Sequence, residues 1–169
     1  MNLLLVMMLG VCTGLRTMTP MAVLCWFVYR NVLHLTGWRS FTANIVAVVV
    51  FTLMALGEYI GDKLPATPSR TAPIGLASRA LFGAVVGLVL AQPLVLNPAA
   101  AIAVGIVGAI LGSYVGWFVR TRTVLALKCP DLPVALVEDV ITIGLSITFL
   151  HLVAVHSALF AGNGGPWAR

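Results

Sequence analysis

Ala99–Val119, AAAIAVGIVGAILGSYVGWFV, decides the fold class of this chain. A helix needs about 20 apolar residues to cross a hydrocarbon core of roughly 30 Å, and this stretch supplies them. Working outward, comparable segments run from Ala43 to Ile60, from about Ile74 to Leu96 and from about Val134 to Phe160. A first apolar unit extends from Leu3 to about Leu35. It is interrupted by Gly14-Leu15-Arg16-Thr17-Met18-Thr19-Pro20. At 1.5 Å per residue the unit is too long for one straight crossing. It has to tilt, kink at Pro20 or split into two half-helices.

Composition agrees with that pattern. The chain has 169 residues, of which 60% are hydrophobic and 9% charged, and its mean hydropathy is +1.06. A soluble domain carries about 25% charged residues, so a water-facing surface cannot be built here. The expected fold is all-α: a polytopic membrane bundle of about five helices, the first kinked or broken. Residues 1–160 form a single transmembrane domain and 161–169 a loose, Gly-rich tail. The absence of a basic region before Leu9 argues for a retained first span rather than a cleaved signal.

Leu56-Gly57-Glu58-Tyr59-Ile60-Gly61 echoes Leu111-Gly112-Ser113-Tyr114-Val115-Gly116. The echo suggests a duplicated two-helix unit followed by a fifth helix. Repeats of an even number of helices are parallel, unlike inverted-repeat transporters. The net charge of +5 does not point to nucleic acid, because no basic run or basic face with interleaved aromatics occurs. Lys63, Arg70, Arg120, Arg122 and Lys128 lie after the second and fourth spans, against Arg30, Arg39 and Arg169 on the other side. This bias places loops 61–73 and 120–133 in the cytoplasm, with the protein in a cell (inner) membrane. The N-terminus is then inside if the first unit crosses once, and outside if it is re-entrant.

Gly57-x-x-x-Gly61, Gly83-x-x-x-Gly87 and Gly108-x-x-x-Gly112-x-x-x-Gly116 each line one helical stripe. Between helices in lipid the attraction comes from close backbone approach, so these are expected packing positions, within the chain or in a homodimer. The candidate charge cluster or pathway consists of Arg16, Thr17, Thr19, Glu58, Asp62, Arg79, Glu138 and Asp139. A charge at a helix centre costs at least about 2.5–3.5 kcal/mol, so these groups should face one another or water. The two arginines can neutralise two of the acids. Asp62 and Asp139 also suit plain helix ends, where an acid near an N-terminus is favoured by the dipole. Irregular backbone at Gly14–Pro20 is tolerated at membrane depth only if buried in protein or lining a cavity. An unwound segment there can bind an anion or line a pathway; a packed proline kink is the competing account.

His34, His151 and His156 have no companions at metal-ligand spacing, and Cys12, Cys25 and Cys129 form no CxxC pair. No metal, cofactor or catalytic residue is expected. Trp26, Trp38, Trp117 and Tyr29 suit aromatic belts at the membrane surface.

Three stretches together resemble one family: Gly14-Leu15-Arg16-Thr17-Met18-Thr19-Pro20, Glu58-Tyr59-Ile60-Gly61-Asp62-Lys63-Leu64-Pro65 and Leu136-Val137-Glu138-Asp139-Val140. The chain is similar to the domain-of-unknown-function 4126 family of small bacterial membrane proteins over nearly its whole length. It departs from the family's Gly-Leu-Asn-Pro pattern, since Arg16 and Thr17 follow Gly14-Leu15 and Pro20 comes later. The resemblance implies an integral membrane protein without an established activity. The functional expectation is a small transporter or channel-like protein for an ion or small solute. Its rival is a non-catalytic scaffold or partner subunit. An enzyme is not expected, because no nucleophile–base or metal constellation is present.

Overall fold

The structure is a computed structural model that describes residues 1–61, 72–128 and 130–162, with side chains up to Leu159. Six α-helices and one 3₁₀ segment follow in order: α1 (Asn2–Leu15), α2 (Thr19–Tyr29), the 3₁₀ segment (Gly37–Ala43), α3 (Ile45–Gly61), α4 (Pro73–Leu90), α5 (Pro98–Leu127) and α6 (Asp131–Gly162). The described residues contain no strand. Helices α4, α5 and α6 are each long and apolar enough to cross a membrane. A fourth candidate is α3 joined to the 3₁₀ segment across a 63° bend.

The first apolar unit splits. Arg16 turns extended at φ −140° and ψ 113°, and its N–H closes α1 on the Cys12 carbonyl at 2.9 Å. Pro20 then occupies the first turn of α2, where its missing N–H costs nothing. Proline therefore starts a second helix instead of kinking a continuous one. With 14 and 11 residues, neither half spans a bilayer.

The two halves go down and come back. The Asn2 side-chain amide donates to the Leu94 carbonyl at 2.8 Å, so α1 begins beside the end of α4. After α2, the Thr36 N–H reaches Gln92 at 3.2 Å and Arg39 Nε reaches the Leu88 carbonyl at 3.3 Å, at that same end. The α1–α2 pair is thus a re-entrant hairpin whose tip is residues 16–18. The last turns of α6 return to this end too: Ala154 and Ser157 share a crevice with His34 and Gln92. Of the two expected arrangements of the first unit, one crossing or a re-entrant pair, these contacts are those of the re-entrant pair.

Glycine holds the bundle centre together. A Cβ on Gly10 would stand 2.7 Å from the Gly105 carbonyl oxygen, and one on Gly83 2.7 Å from the Ala109 Cβ. Helix α5 uses Ala101 and Gly105 against Gly87 and Gly83 of α4, and Gly108 and Gly112 against Met7, Gly10 and Val11 of α1. Residue numbers rise together along α1 and α5 and oppositely along α4 and α5, which gives the helix directions. Gly116 is buried as well. Gly57 and Gly61 differ: a Cβ built on either meets no atom of the described residues within 4 Å. The expected packing role of that stripe within the chain is not what the structure shows. Helix α3 lies at the periphery, and only Val48 and Ala55 along it are buried. The sequence echo therefore joins unequal environments, although α3 and α5 run the same way as a two-helix repeat requires.

Three boundaries differ from expectation. Helix α4 ends at Leu90 instead of continuing to Leu96, because Pro93 disfavours helix in the residue before it and clashes with the turn behind. Helix α5 runs on through Arg120 and Arg122 to Leu127, so the first part of the expected 120–133 loop is helical. Charge alone does not end a helix. The stop comes at Lys128, in the left-handed region at φ 49°. Helix α6 starts at Asp131 and continues to Gly162, two residues into the expected tail. Asp62, most of the 61–73 loop and residues 163–169 lie outside the described residues.

Candidate functional site at the hairpin tip

Leu5, Val6 and Leu9 of α1, Met21 and Leu24 of α2, Val89 and Leu90 of α4 and Leu150 and Val153 of α6 form a buried apolar core. The hairpin tip projects beyond it and carries the charges. Arg16, with no exposed surface, forms an ion pair through Nη2 with Oδ1 of Asp139 on α6. Its guanidinium also lies over the Tyr59 ring, 5.4 Å from the centroid. The Tyr59 hydroxyl is 2.7 Å from the Thr19 hydroxyl. Glu58, the neighbour of Tyr59 on α3, spreads its carboxylate across the break. Oε1 accepts from the Thr17 N–H at 2.8 Å and Oε2 from the Met18 N–H at 2.9 Å. Arg79 of α4 approaches Glu58 Oε1 through Nη2 at 3.8 Å.

Each contact answers a physical demand. The N–H groups at the start of α2 have no intrahelical partner, and the helix dipole there favours a negative charge. Glu58 meets both demands from a distant element. Two buried guanidiniums face the buried carboxylate of Asp139 and the partly buried carboxylate of Glu58, the pairing of opposite charges that burial calls for.

Of the expected residues, Arg16, Thr17, Thr19, Glu58, Arg79 and Asp139 come together here. Glu138 faces Arg120 at 3.7 Å near the start of α6, and Arg120 Nε also donates to Asp131 at 2.8 Å. Asp139 lies eight residues into α6, so it is an interior partner rather than a helix-end anchor. Glu138 and Arg120 also line an apolar crevice between α5 and α6 with Leu15 and Gly116.

Sequence reasoning missed Tyr59, Thr13, Ser113, Thr142 and Ser146. Thr142 and Ser146 are fully buried and follow Asp139 at helical spacing, and their hydroxyls donate to the carbonyls of Glu138 and Thr142 at 2.8 and 2.7 Å. Thr13 donates to Leu9 at 2.9 Å and Ser113 to Ala109 at 2.8 Å. The hydroxyl spacing after Asp139 was the available signal. Among the described residues no three His, Cys, Asp or Glu side chains converge as metal ligands would. Cys12 and Cys25 are buried free thiols. Trp26 donates to the Thr52 hydroxyl at 3.1 Å, tying α2 to α3, and Trp38 stacks on Phe41. Trp26, Trp38, Trp117 and Tyr29 all keep exposed surface.

These features define a multi-pass helical membrane protein with an interrupted hairpin that carries buried charge. The chain belongs to the family described as domain of unknown function (DUF4126), whose family model matches residues 3–162. No curated protein and no solved structure matches it. The three stretches that carry the family resemblance, around Arg16, Glu58 and Asp139, meet at the hairpin tip.

Proposed function

We propose that this protein is a small transporter or channel-like protein of the inner membrane for an ion or small solute, with the hairpin tip as its site. One observation carries the proposal: three buried charged side chains, Arg16, Arg79 and Asp139, and the partly buried Glu58, from the hairpin, α4, α6 and α3, converge beside main-chain N–H groups that belong to no helix interior. Charge at membrane depth is costly, and such groups mark ion and substrate pathways. Broken helices whose N-termini face anionic groups are a recurrent device of transporters. No chemistry on a substrate is part of this reading, so the protein is not an enzyme. Loops 61–73 and 120–133 face the cytoplasm by their basic residues, and both ends of the hairpin face away from it.

The test is a flux assay on the purified chain in vesicles, across protons, monovalent cations and small anions. The expected result is flux of at least one species, reduced by Arg16→Ala and Glu58→Ala in protein that still inserts. Inactivity across the panel, or flux indifferent to both substitutions, overturns the proposal. A scaffold or partner-subunit role is favoured by a different observation, the peripheral position of α3, along which only Val48 and Ala55 are buried. That reading, which includes a homodimer, predicts stoichiometric co-purification and no flux.

A further inference from the structure

We infer that the crevice between α5 and α6 seats a membrane phospholipid whose head group carries a primary ammonium beside its phosphodiester. The inference concerns a place outside the hairpin tip and does not depend on transport.

The crevice follows from where the small residues of α5 point. Ala101 and Gly105 lie against α4, and Gly108 and Gly112 lie against α1. Helix α6 packs mainly on α1 and α2. Helices α5 and α6 therefore follow one another in the chain yet touch little. Between them lies a space of about 360 Å³, walled by Leu15, Val115, Val119, Val134, Val137 and Ile141. Apolar walls that face a gap forfeit dispersion attraction. In a bilayer a flexible acyl chain is the group at hand to restore it.

Depth sets which part of a lipid meets which residue. Arg120 and Thr123 of α5 and Glu138 of α6 border the same crevice. From Pro98, where α5 begins, to Arg120 is about 33 Å of helix, close to the roughly 30 Å of bilayer hydrocarbon. Trp117, just before, keeps the exposed surface of a belt residue. The polar border thus stands at head-group level. Leu15, Val115 and Ile141 lie on its hydrocarbon side.

Charge selects the head group. Arg120 donates to Asp131 at 2.8 Å and lies 3.7 Å from Glu138. The Asp131 side chain keeps 57% of its surface exposed. Arg122, exposed nearby on α5, lies over the Phe118 ring. A guanidinium has five donors and a carboxylate about four acceptor sites, so contact with one another does not exclude contact with a lipid. Thr123 adds a hydroxyl that has no hydrogen-bond partner among the described residues, unlike Thr142, Ser146 and Thr148 of α6, which bond back to their own helix. Basic pockets between membrane helices take lipid phosphates. Here two carboxylates stand in the same border, so a purely anionic head group meets like charge. A choline head group has the positive charge but no N–H to donate. An ammonium next to a phosphodiester answers both signs.

The lipid would also brace the buried ion pair, since Leu15 precedes Arg16 and Glu138 precedes Asp139. Unfolding therefore reports its binding. The experiment titrates the delipidated full chain in detergent with dioleoyl phosphatidylethanolamine, phosphatidylcholine or phosphatidylglycerol and follows the thermal midpoint. A ligand that binds only the folded state raises it. The expected result is a rise of several degrees with phosphatidylethanolamine, larger than with either other lipid. Val119→Phe fills the crevice and should abolish that preference. Val107→Phe, the same change on exposed α5 surface outside the crevice, should keep it. Glu138→Gln keeps the volume, removes one carboxylate and should bring phosphatidylethanolamine level with phosphatidylcholine. If Glu138→Gln does not fold, the ranking in the parent chain and the Val119→Phe result decide. Equal effects of all three lipids mean an ordinary lipid belt and overturn the inference. So does a larger effect of phosphatidylglycerol, or a preference that survives Val119→Phe. Indifference to every lipid in a chain that dimerises on size exclusion gives the crevice to a second copy and overturns it as well.

Discussion

Arg16 presents the largest fully buried side chain in the molecule's described core, and its partner Asp139 is nearly as enclosed. Taking two ions out of water costs several kcal/mol each, which their attraction repays only when both are present. Removing one partner of such a pair leaves an uncompensated charge, at a cost of about 3–5 kcal/mol, whereas replacing both by apolar groups is often neutral. Arg16→Met and Asp139→Leu are each expected to lower stability by about that amount, and the double variant to recover most of it. Denaturation of the three variants in detergent, read as a double-mutant cycle, measures the coupling. Additive losses would show that the two side chains do not act as a pair. The double variant would also separate folding from function, since it keeps the fold and discards the charge. That these residues need partners of opposite charge is legible from the cost of charge in an apolar segment. Which acid meets which arginine is not, because pairing depends on how helices pack, and apolar composition does not encode that. Thr142 and Ser146 escape a sequence reading because such hydroxyls bond back to their own helix and are ordinary at any position along it; the Tyr59 hydroxyl meets Thr19 of α2, a contact that depends on how the helices pack.

Between elements, contact is set by the absence of side chains. Gly83 and Gly105 bring α4 and α5 together so closely that a Cβ on Gly105 would stand against the Gly83 carbonyl. Overpacking of a tight core costs about 1–3 kcal/mol, and backbone atoms cannot step aside as a flexible side chain can. Gly105→Ala is expected to fall at or above the top of that range. Gly57→Ala is expected to change stability by no more than about 1 kcal/mol, toward stability, since its Cβ meets nothing within 4 Å among the described residues and alanine favours helix. Thermal midpoints of the two variants check the contrast. Should Gly57→Ala instead split an oligomer on size exclusion, the open stripe is an interface between copies. Both glycines sit in similar patterns, so spacing could not tell them apart. The Gly10–Gly14 pair, with the same four-residue spacing, was legible and was hidden by its neighbour, the break at Arg16. Helix limits followed the same logic. Pro93 ends α4 as a breaker does, while Arg120 and Arg122 suggest a loop by their charge although nothing in them opposes a helix, and α5 runs through both.

Across the whole molecule, the spans were legible because bilayer thickness fixes how much apolar sequence a crossing needs. The direction of the first unit was not, since a half-helix that crosses and one that turns back have the same composition. The tertiary contacts decide it. Asn2 and Arg39 both bond carbonyls at the end of α4, at Leu94 and Leu88, so positions 2 and 40 lie at the same end of the bundle. Lys128 lies at the other end, where α5 stops and α6 begins. Single cysteines at Asn2, Ser40 and Lys128, in a chain whose own cysteines are replaced by serine or alanine, are expected to sort two against one. A membrane-impermeant thiol reagent applied to sealed vesicles of known orientation should label the first two from one face and the third from the other. A single crossing would put positions 2 and 40 on opposite faces, and labelling in that pattern would dismantle the hairpin. By the distribution of basic residues, position 128 should be the one reached from the cytoplasmic face. The tip then lies nearer the cytoplasm than the hairpin's two ends, because Asp139 is eight residues from the start of α6 whereas Arg16 is fourteen from Asn2. At 1.5 Å per residue these are depths of about 12 and 21 Å. An ion arriving from the cytoplasmic side would meet the charged cluster before the leucine and valine core that closes the rest of the path.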